Sequence, residues 1–421
     1  MGPIFNQSNL IKLLMIWFPI SFLMVKHGVH ISLYGFLLLY LYALIKNSAR
    51  AKLDTQSIVI AISLSSIFIA TFVQQITSSS VNFSALDGPS RLLIAGIVIL
   101  YLHQRNVDSI KILEVTIPTG LILLWAYLSL NQTHYWGLRW ANSFVDPNSL
   151  GSQSTILSMV CLMSIKRESK LHINLIKVLG AVCGFYISLK TQSRGGWIVI
   201  PFIALCWLVM QLANIHADLN KNKLLKIFSV LFVLILSTVA AAIFVESVNS
   251  RVMQTFFEIS TWFKDPTIYT SAGARMSMWA ASFQLIQENP LGYGETAIKE
   301  VLYNHPLYAS VHLHGVKDMI VAGPHADILS KGLCLGILGI AAYLLTILSP
   351  AILFISKIKS QDTATRNAAH LGLMYVSGVF IAGLFNENLS LKYLCSFYGL
   401  MIACLTSQIL YNKHSAIEDN Y

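Results

Sequence analysis

An all-α polytopic membrane protein with about twelve transmembrane helices is the fold class the sequence predicts, and three observations predict it. Of the 421 residues, 55% are apolar and only 11% charged, where about a quarter of a soluble domain is charged; the mean hydropathy is +0.63. The apolar residues come in unbroken runs and not in ten-residue alternations, which selects helices over a closed barrel, because irregular backbone cannot face lipid. Alternate connections carry basic clusters, the asymmetry that orients a helical membrane protein.

Apolar windows of roughly 17 to 22 residues fall near 10–25, 31–45, 56–75, 90–104, 112–130, 149–165, 173–190, 196–214, 227–245, 327–348, 371–385 and 393–411. The first lacks a small-residue cleavage site and runs on into the next, so a retained helix is expected and not a signal peptide. Five basic clusters recur on one side: Lys46, Arg50 and Lys52; Arg105 and Lys111; Lys166, Arg167 and Lys170; Lys221, Lys223 and Lys226; Lys357, Lys359 and Arg366. That side is expected to be cytoplasmic, with both termini on it. The basic residues facing the other way, Lys26, Arg91, Arg139, Lys190, Arg194 and Lys392, oppose the orientation signal and need another reason to be there.

The chain then divides into spans one to nine over 1–245, a long polar loop over 246–324 outside the cytoplasm, spans ten to twelve over 325–411, and a cytoplasmic tail over 412–421. Within the loop, Trp262-Phe263-Lys264-Asp265-Pro266 reads as an interfacial turn with an aromatic anchor. Met276, Trp279, Ala280, Phe283 and Ile286 recur at helical spacing after Arg275, which predicts an amphipathic helix at the membrane surface up to Glu288. Asn289-Pro290-Leu291-Gly292-Tyr293-Gly294 ends it.

Composition also excludes. The net charge of +10 has loop orientation as its source, since no basic run interleaves with aromatics and no nucleic-acid partner is expected. Cys161, Cys183, Cys206, Cys334, Cys395 and Cys404 lie in or beside apolar spans without C-x-x-C and read as small buried hydrophobes. No metal-ligand spacing occurs in the outer loops, and no phosphate-binding G-x-x-x-x-G-K-S/T occurs at all, so neither a metal nor a nucleotide cofactor is expected. Glu114 and Lys177 lie near span ends, unlike the midplane charges of an ion-coupled transporter.

Three positions carry candidate chemistry. Arg194 follows Lys190-Thr191-Gln192-Ser193 in a short glycine-rich turn. It is either a snorkelling helix-end arginine or a planar donor fork facing an anion beside backbone N–H groups. Arg275 follows Gly273-Ala274 at a helix start, where orphan N–H groups favour an anion, or is an exposed loop residue. His325 stands where the loop meets a span, followed by Asp327 and by Gly332, Gly336 and Gly339, which permit close helix packing. Near a helix N-terminus and arginines it is held neutral and fit to act as a base, or it caps the span; His305, His312 and His314 compete with it. Arg139 offers a third anion contact, while Asn148 behind Pro147 caps the next helix.

The stretches Thr191-Gln192-Ser193-Arg194-Gly195-Gly196-Trp197, Gly273-Ala274-Arg275 through Asn289-Pro290-Leu291-Gly292-Tyr293-Gly294, and His325-Ala326-Asp327-Ile328-Leu329 reaching Gly336 and Gly339 together resemble the signature of the O-antigen ligase/polymerase superfamily, glycosyltransferases with a GT-C-like membrane fold. The order of the motifs, the twelve spans and the late loop match as well. The sequence departs at Ala326, where the family pattern has Asn.

The resemblance implies transfer of a glycan from undecaprenyl diphosphate to a hydroxyl on the periplasmic side of the bacterial inner membrane, with inversion and without metal. The acceptor is an outer sugar of lipid A–core for a ligase, another lipid-linked repeat for a polymerase, and a protein hydroxyl in a third branch. It implies Arg194 and Arg275 as the diphosphate clamp and His325 as the base, with Arg139, Gln192, Trp279, Tyr293 and His314 around the substrates and Trp262 lining the cleft. A polyprenyl-glycan transporter is the alternative of another class.

Overall fold

The computed structural model describes residues 7–46, 54–78, 81–131, 139–166, 169–215, 246–307 and 323–418. Among them the chain is helical throughout, with fourteen α-helices: α1 (Gln7–Ser21), α2 (Gly28–Ile45), α3 (Thr55–Thr77), α4 (Asp87–Leu102), α5 (Ser109–Leu130), α6 (Pro147–Met163), α7 (Leu171–Thr191), α8 (Arg194–Ile215), α9 (Glu246–Lys264), α10 (Ser271–Glu288), α11 (Gly294–Asn304), α12 (Asp327–Lys357), α13 (Thr363–Gly383) and α14 (Lys392–Glu418). Eleven of the twelve apolar windows coincide with helices; the window at 227–245 lies outside the described residues.

Seven of these helices, α2 to α5, α7, α12 and α14, are long and apolar enough to cross a membrane, and the chain is a polytopic membrane protein. Four starts are capped by aspartate, a side chain well suited to the orphan N–H groups of a first turn: Asp54, Asp108, Asp146 and Asp362 each accept from N–H groups of the helix they precede. The expected cap at Asn148 is corrected, because Asp146 holds that place and Pro147 and Asn148 are already helical.

Two helices form the interior. Of α14, 94% of the apolar window is enclosed by protein, so its Gln408 can accept from Ser109 N at 2.8 Å and Tyr398 Oη donate to Thr346 O at 2.8 Å. In α6 every residue from Ser149 to Cys161 is buried. Several of its hydroxyls bond to the preceding turn or to α7, as in Thr155 Oγ1 to Ser188 Oγ at 2.7 Å, while Ser149 Oγ accepts from Asn386 at 3.0 Å. Outer helices instead turn apolar side chains outward, among them Leu38, Ile62 and Val182.

Five of the six basic residues that oppose the orientation signal have partners, Arg139 among them. Arg91 and Lys392 pair with Asp87, Arg194 pairs with Glu258, and Lys190 lies over the Tyr186 ring. At the other end of the bundle Lys166 and the buried Lys177 share Glu114.

α12 is broken. Gly336 has φ 64, a left-handed conformation that glycine adopts without a Cβ penalty, and the turn after α10 docks into the break. Ile337 N donates to Pro290 O at 2.9 Å and Tyr293 N to Leu333 O at 2.8 Å. A Cβ on Gly336 would lie 1.9 Å from Pro290 O. The glycine serves a helix break and not the stripe of close packing expected of Gly332, Gly336 and Gly339.

The segment between α8 and α12 differs from its expectation. On α10 the buried face is Ala274, Met278, Ala281 and Leu285, which packs on α12 and α9, while Phe283 is exposed. The amphipathic helices of this segment are α9 and α11, the latter burying Ile298 and Leu302 on one face; α9 is the one beside the arginines. One of its faces exposes Met253, Phe256 and Phe257, and the opposite face carries Arg251, Thr255, Glu258 and Trp262. Trp262 is no free interfacial anchor, since Nε1 donates to Ser277 Oγ at 2.8 Å.

Candidate active site

Four segments meet at one end of the bundle: the start of α6, the α7–α8 turn, the first half of α10 and the connection from α13 to α14. The turn is held by α9, whose residues 251, 255, 258 and 262 fall on one stripe of a 3.6-residue helix. Arg251 donates to Gln192 Oε1, and Thr255 Oγ1 accepts from Arg194 Nη1 at 2.9 Å. Gln192 itself is left-handed, at φ 53, where it ends α7.

Arg194 opens α8 and meets Glu258 with two nitrogens, Nη1 to Oε2 at 2.9 Å and Nη2 to Oε1 at 3.3 Å. Of the five N–H groups of the fork, two remain for a ligand. Glu258 is 3% exposed and also accepts from Ala272 N at 2.9 Å, which fixes the start of α10 to the same carboxylate. Burial opposes its charge, but the Arg194 and Ala272 hydrogen bonds prevail and hold its pKa below the usual range. Gly196 packs against the Gly151 backbone, where a Cβ would come within 3.0 Å, and Gly195 faces the cleft.

Arg275 stands in the second turn of α10 and lines a narrow cleft with Asn148, Ser152, Ser193, Gly195 and Asn386. Its Nε is buried with no hydrogen-bond partner among the described residues. Burial and then the nearby Arg194 lower its pKa, against Glu258 and Asp146. The cleft holds about 10 Å³, room for roughly one water, so a larger ligand requires its lining to open.

His325 is also left-handed, at φ 53. Its backbone N donates to Glu387 Oε1 at 3.1 Å, while its Nε2 is buried without a partner among the described residues. Burial, then the charge of Arg275, push its pKa down to about 4. The imidazole is therefore neutral at physiological pH, from burial first and then from Arg275, one of the nearby arginines expected to act in that sense. The position after it is Ala326, and the polar support comes instead from Glu387, which also accepts from Ser330 Oγ at 3.2 Å.

Arg139 lies beside this group with Nε on Thr191 O and Nη2 on the Asn148 amide oxygen, both at 2.7 Å. It ties the loop before α6 to the α7–α8 turn, and burial lowers its pKa to about 10. Trp279 Nε1 donates to Pro324 O at 3.0 Å and its ring lies 5.9 Å from Phe385, so it fixes the backbone beside His325. Tyr293 goes elsewhere: it joins a small core between α10, α11 and α12 and donates to Leu285 O at 3.2 Å. His305 accepts from Leu307 N in its own turn; His312 and His314 lie outside the described residues.

Four arginines, 139, 194, 251 and 275, feel one another's charge with Asp146 and Glu258 as the carboxylates among them. Four positive against two negative groups leave an excess that an anion would neutralise. Among the described residues no three His, Cys, Asp or Glu side chains gather as a metal ion would need. Glu258, Arg251, Asp146 and Glu387 were not singled out in the sequence. The Arg251–Thr255–Glu258–Trp262 stripe was the legible signal for two of them; Glu387 had none, being 62 residues from the histidine it supports.

Residues 179–344 match the family model described as O-Antigen ligase. The match runs from α7 into α12 and contains Arg194, Glu258, Arg275 and His325, while Arg139, Asp146 and Glu387 lie outside it. A Haemophilus influenzae protein described as uncharacterized is 22% identical over 313 residues, which cover 73% of this chain and 75% of that protein.

Proposed function

From the match of residues 179–344 to the family model described as O-Antigen ligase, we propose that this chain is an O-antigen ligase. It transfers a glycan from undecaprenyl diphosphate to a sugar hydroxyl of lipid A–core on the periplasmic face of the inner membrane. The family and the membrane helices support glycosyl transfer within a membrane; donor, acceptor and sidedness are the proposal. The observation that carries it is the pairing of two unpartnered groups, Arg275 Nε and His325 Nε2, in a site with surplus positive charge.

In this reading Arg275 and the free N–H groups of Arg194 hold the diphosphate and stabilise the charge that grows on it as it leaves, a preorganised electrostatic contribution. Neutral His325 takes the proton of the attacking sugar hydroxyl, worth typically about 10²–10⁴-fold. The hydroxyl oxygen bonds to the anomeric carbon as the diphosphate oxygen departs with the bonding pair, so one displacement inverts the centre. Glu258 positions Arg194, and Glu387 with Trp279 positions the backbone of His325. Tyr293 and Arg139 support the scaffold, and His314 stays a proposed acceptor contact.

The test is reconstitution with undecaprenyl-diphosphate glycan and purified lipid A–core, with chelator present. Product on lipid A–core is the expected result. Lengthened lipid-linked chains without it would make the protein a polymerase, and loss of turnover to chelator with rescue by a divalent ion would overturn metal independence.

A further inference from the structure

A second concavity, of about 210 Å³, shares no lining residue with the arginine cleft. Residues 323–325 and 385–387 run between the two. Phe385 and Asn386 face the arginines, whereas Gly323, Pro324 and Glu387 face this second cavity. The wall between them is therefore the backbone that carries His325.

Polar groups reach the cavity from four elements, Gln74 from α3, Glu295 and Lys299 from α11, Lys331 from α12, and Glu387 and Ser390 from the last connection, with apolar surface of Ala85, Pro89, Ile298 and Leu335 between them. Lys331 is 8% exposed, and its ammonium donates to Ser390 Oγ at 3.1 Å. No carboxylate lies in ion-pair reach of it among the described residues. An ammonium has three donors, so the Ser390 contact leaves two for a ligand in a place where unmade hydrogen bonds are costly.

The chemistry of the lining selects the occupant. A polyprenyl tail would leave these groups unsatisfied. A second diphosphate would find Lys299 and Lys331 matched by Glu295 and Glu387, and Lys392 already paired with Asp87, so no excess of positive charge is left to hold it. A sugar ring carries hydroxyls that donate and accept in turn around its edge, and a lining of ammonium, amide, hydroxyl and carboxylate groups answers that alternation. We propose that this cavity is the acceptor subsite, and that it seats a saccharide ring of the lipid-anchored acceptor beside the wall that carries His325. The proposal rests on the glycosyl-transfer reading and adds to it where the acceptor sits and which residues select it.

Full-length protein in lipid nanodiscs tests it, with lipid A–core titrated at saturating undecaprenyl-diphosphate glycan and then the reverse. Lys331→Met should raise the KM for lipid A–core roughly tenfold, the worth of a lost charged hydrogen bond, with the donor KM unmoved. Glu295 and Lys299 are exposed on α11, so Lys299→Ala and Glu295→Gln read the same site without disturbing packing if Lys331→Met fails to reach the membrane. A rise in donor KM, or no change in either KM in all three variants, overturns the subsite. The function fails separately: wild-type protein that makes no lipid A–core product but lengthens lipid-linked chains overturns the ligase. The same variants must then raise the KM for the lipid-linked acceptor, or the subsite falls too.

Discussion

Glu258 holds Arg194 by both of its oxygens, at 2.9 and 3.3 Å, across 64 residues of chain. The pair is nearly closed to solvent, with the side chains 18% and 4% exposed. Removing one partner of a buried pair leaves the other uncompensated, at a cost of about 3 kcal/mol or more. Glu258→Ala should therefore lower the melting temperature. Glu258→Gln should keep the fold but let the guanidinium drift, with kcat falling by about a hundredfold for a shift near 1 Å. Steady-state transfer and thermal unfolding read both effects; unchanged kcat in Glu258→Gln would remove it from the site.

Arg275 should behave in the opposite way. It sits among like charges with its Nε unpartnered, so Arg275→Met should leave the melting temperature level or higher, a pattern seen where active sites trade stability for function. Transfer should fall by roughly 10²–10³, as for loss of one preorganised donor. Loss of activity accompanied by loss of stability would make the residue structural.

His325 titrates at about 4, below its ordinary 6.5, so it is neutral across the physiological range and the base is lost only as pH falls through about 4. Its imidazole resonances, assigned by difference from His325→Gln, should stay those of the neutral ring at pH 5.5. Titration near 6.5 would contradict the buried site. His325→Ala should remove about 10²–10⁴ of the rate while the protein remains in the membrane.

Burial raises the Glu387 pKa to about 7, against the charge of Lys331. The folded state then binds this proton more tightly than the unfolded chain, so its contribution to stability is lost as pH rises through 7. Glu387→Gln should gain on the wild type at pH 8, and the gap in melting temperature should close as pH falls toward 4.5. A gap that does not vary with pH would mean the carboxylate is ionised throughout.

Gly336→Ala places a Cβ against Pro290 O in a left-handed backbone, a strained change of about 1 kcal/mol or more. The turn at 289–293 should undock from α12, with lower thermal stability and faster proteolysis between α10 and α11. Wild-type cleavage kinetics would show that the break does not depend on glycine.

The spans were legible because apolar length in lipid leaves helices as the available structure, and α7, α8 and α12 start or stop close to their predicted bounds. Arg194 and Arg275 stood out because they lie beside glycines at helix starts, and His325 because it stands where the loop meets a span. The stripe read on α10 misled, because Phe283 is apolar yet exposed and the packed side runs through Ala274, Met278, Ala281 and Leu285 instead. Glu258 and Glu387 act across 64 and 62 residues, and no local period announces a pairing of that separation.

α6 supplies the floor of the arginine cleft through Asn148 and Ser152, and it is one of the more polar helices of the bundle, with Ser149, Ser152, Gln153, Ser154, Thr155 and Ser158 all buried. A segment of that composition gains little by partitioning alone into a bilayer, where polar side chains are costly. Its insertion is bound to that of α5, α7, α8 and α13, which enclose it. A chain arrested before α8 is therefore expected to hold the floor of the cleft without a stable place in the membrane, since only these neighbours give α6 somewhere other than lipid to go.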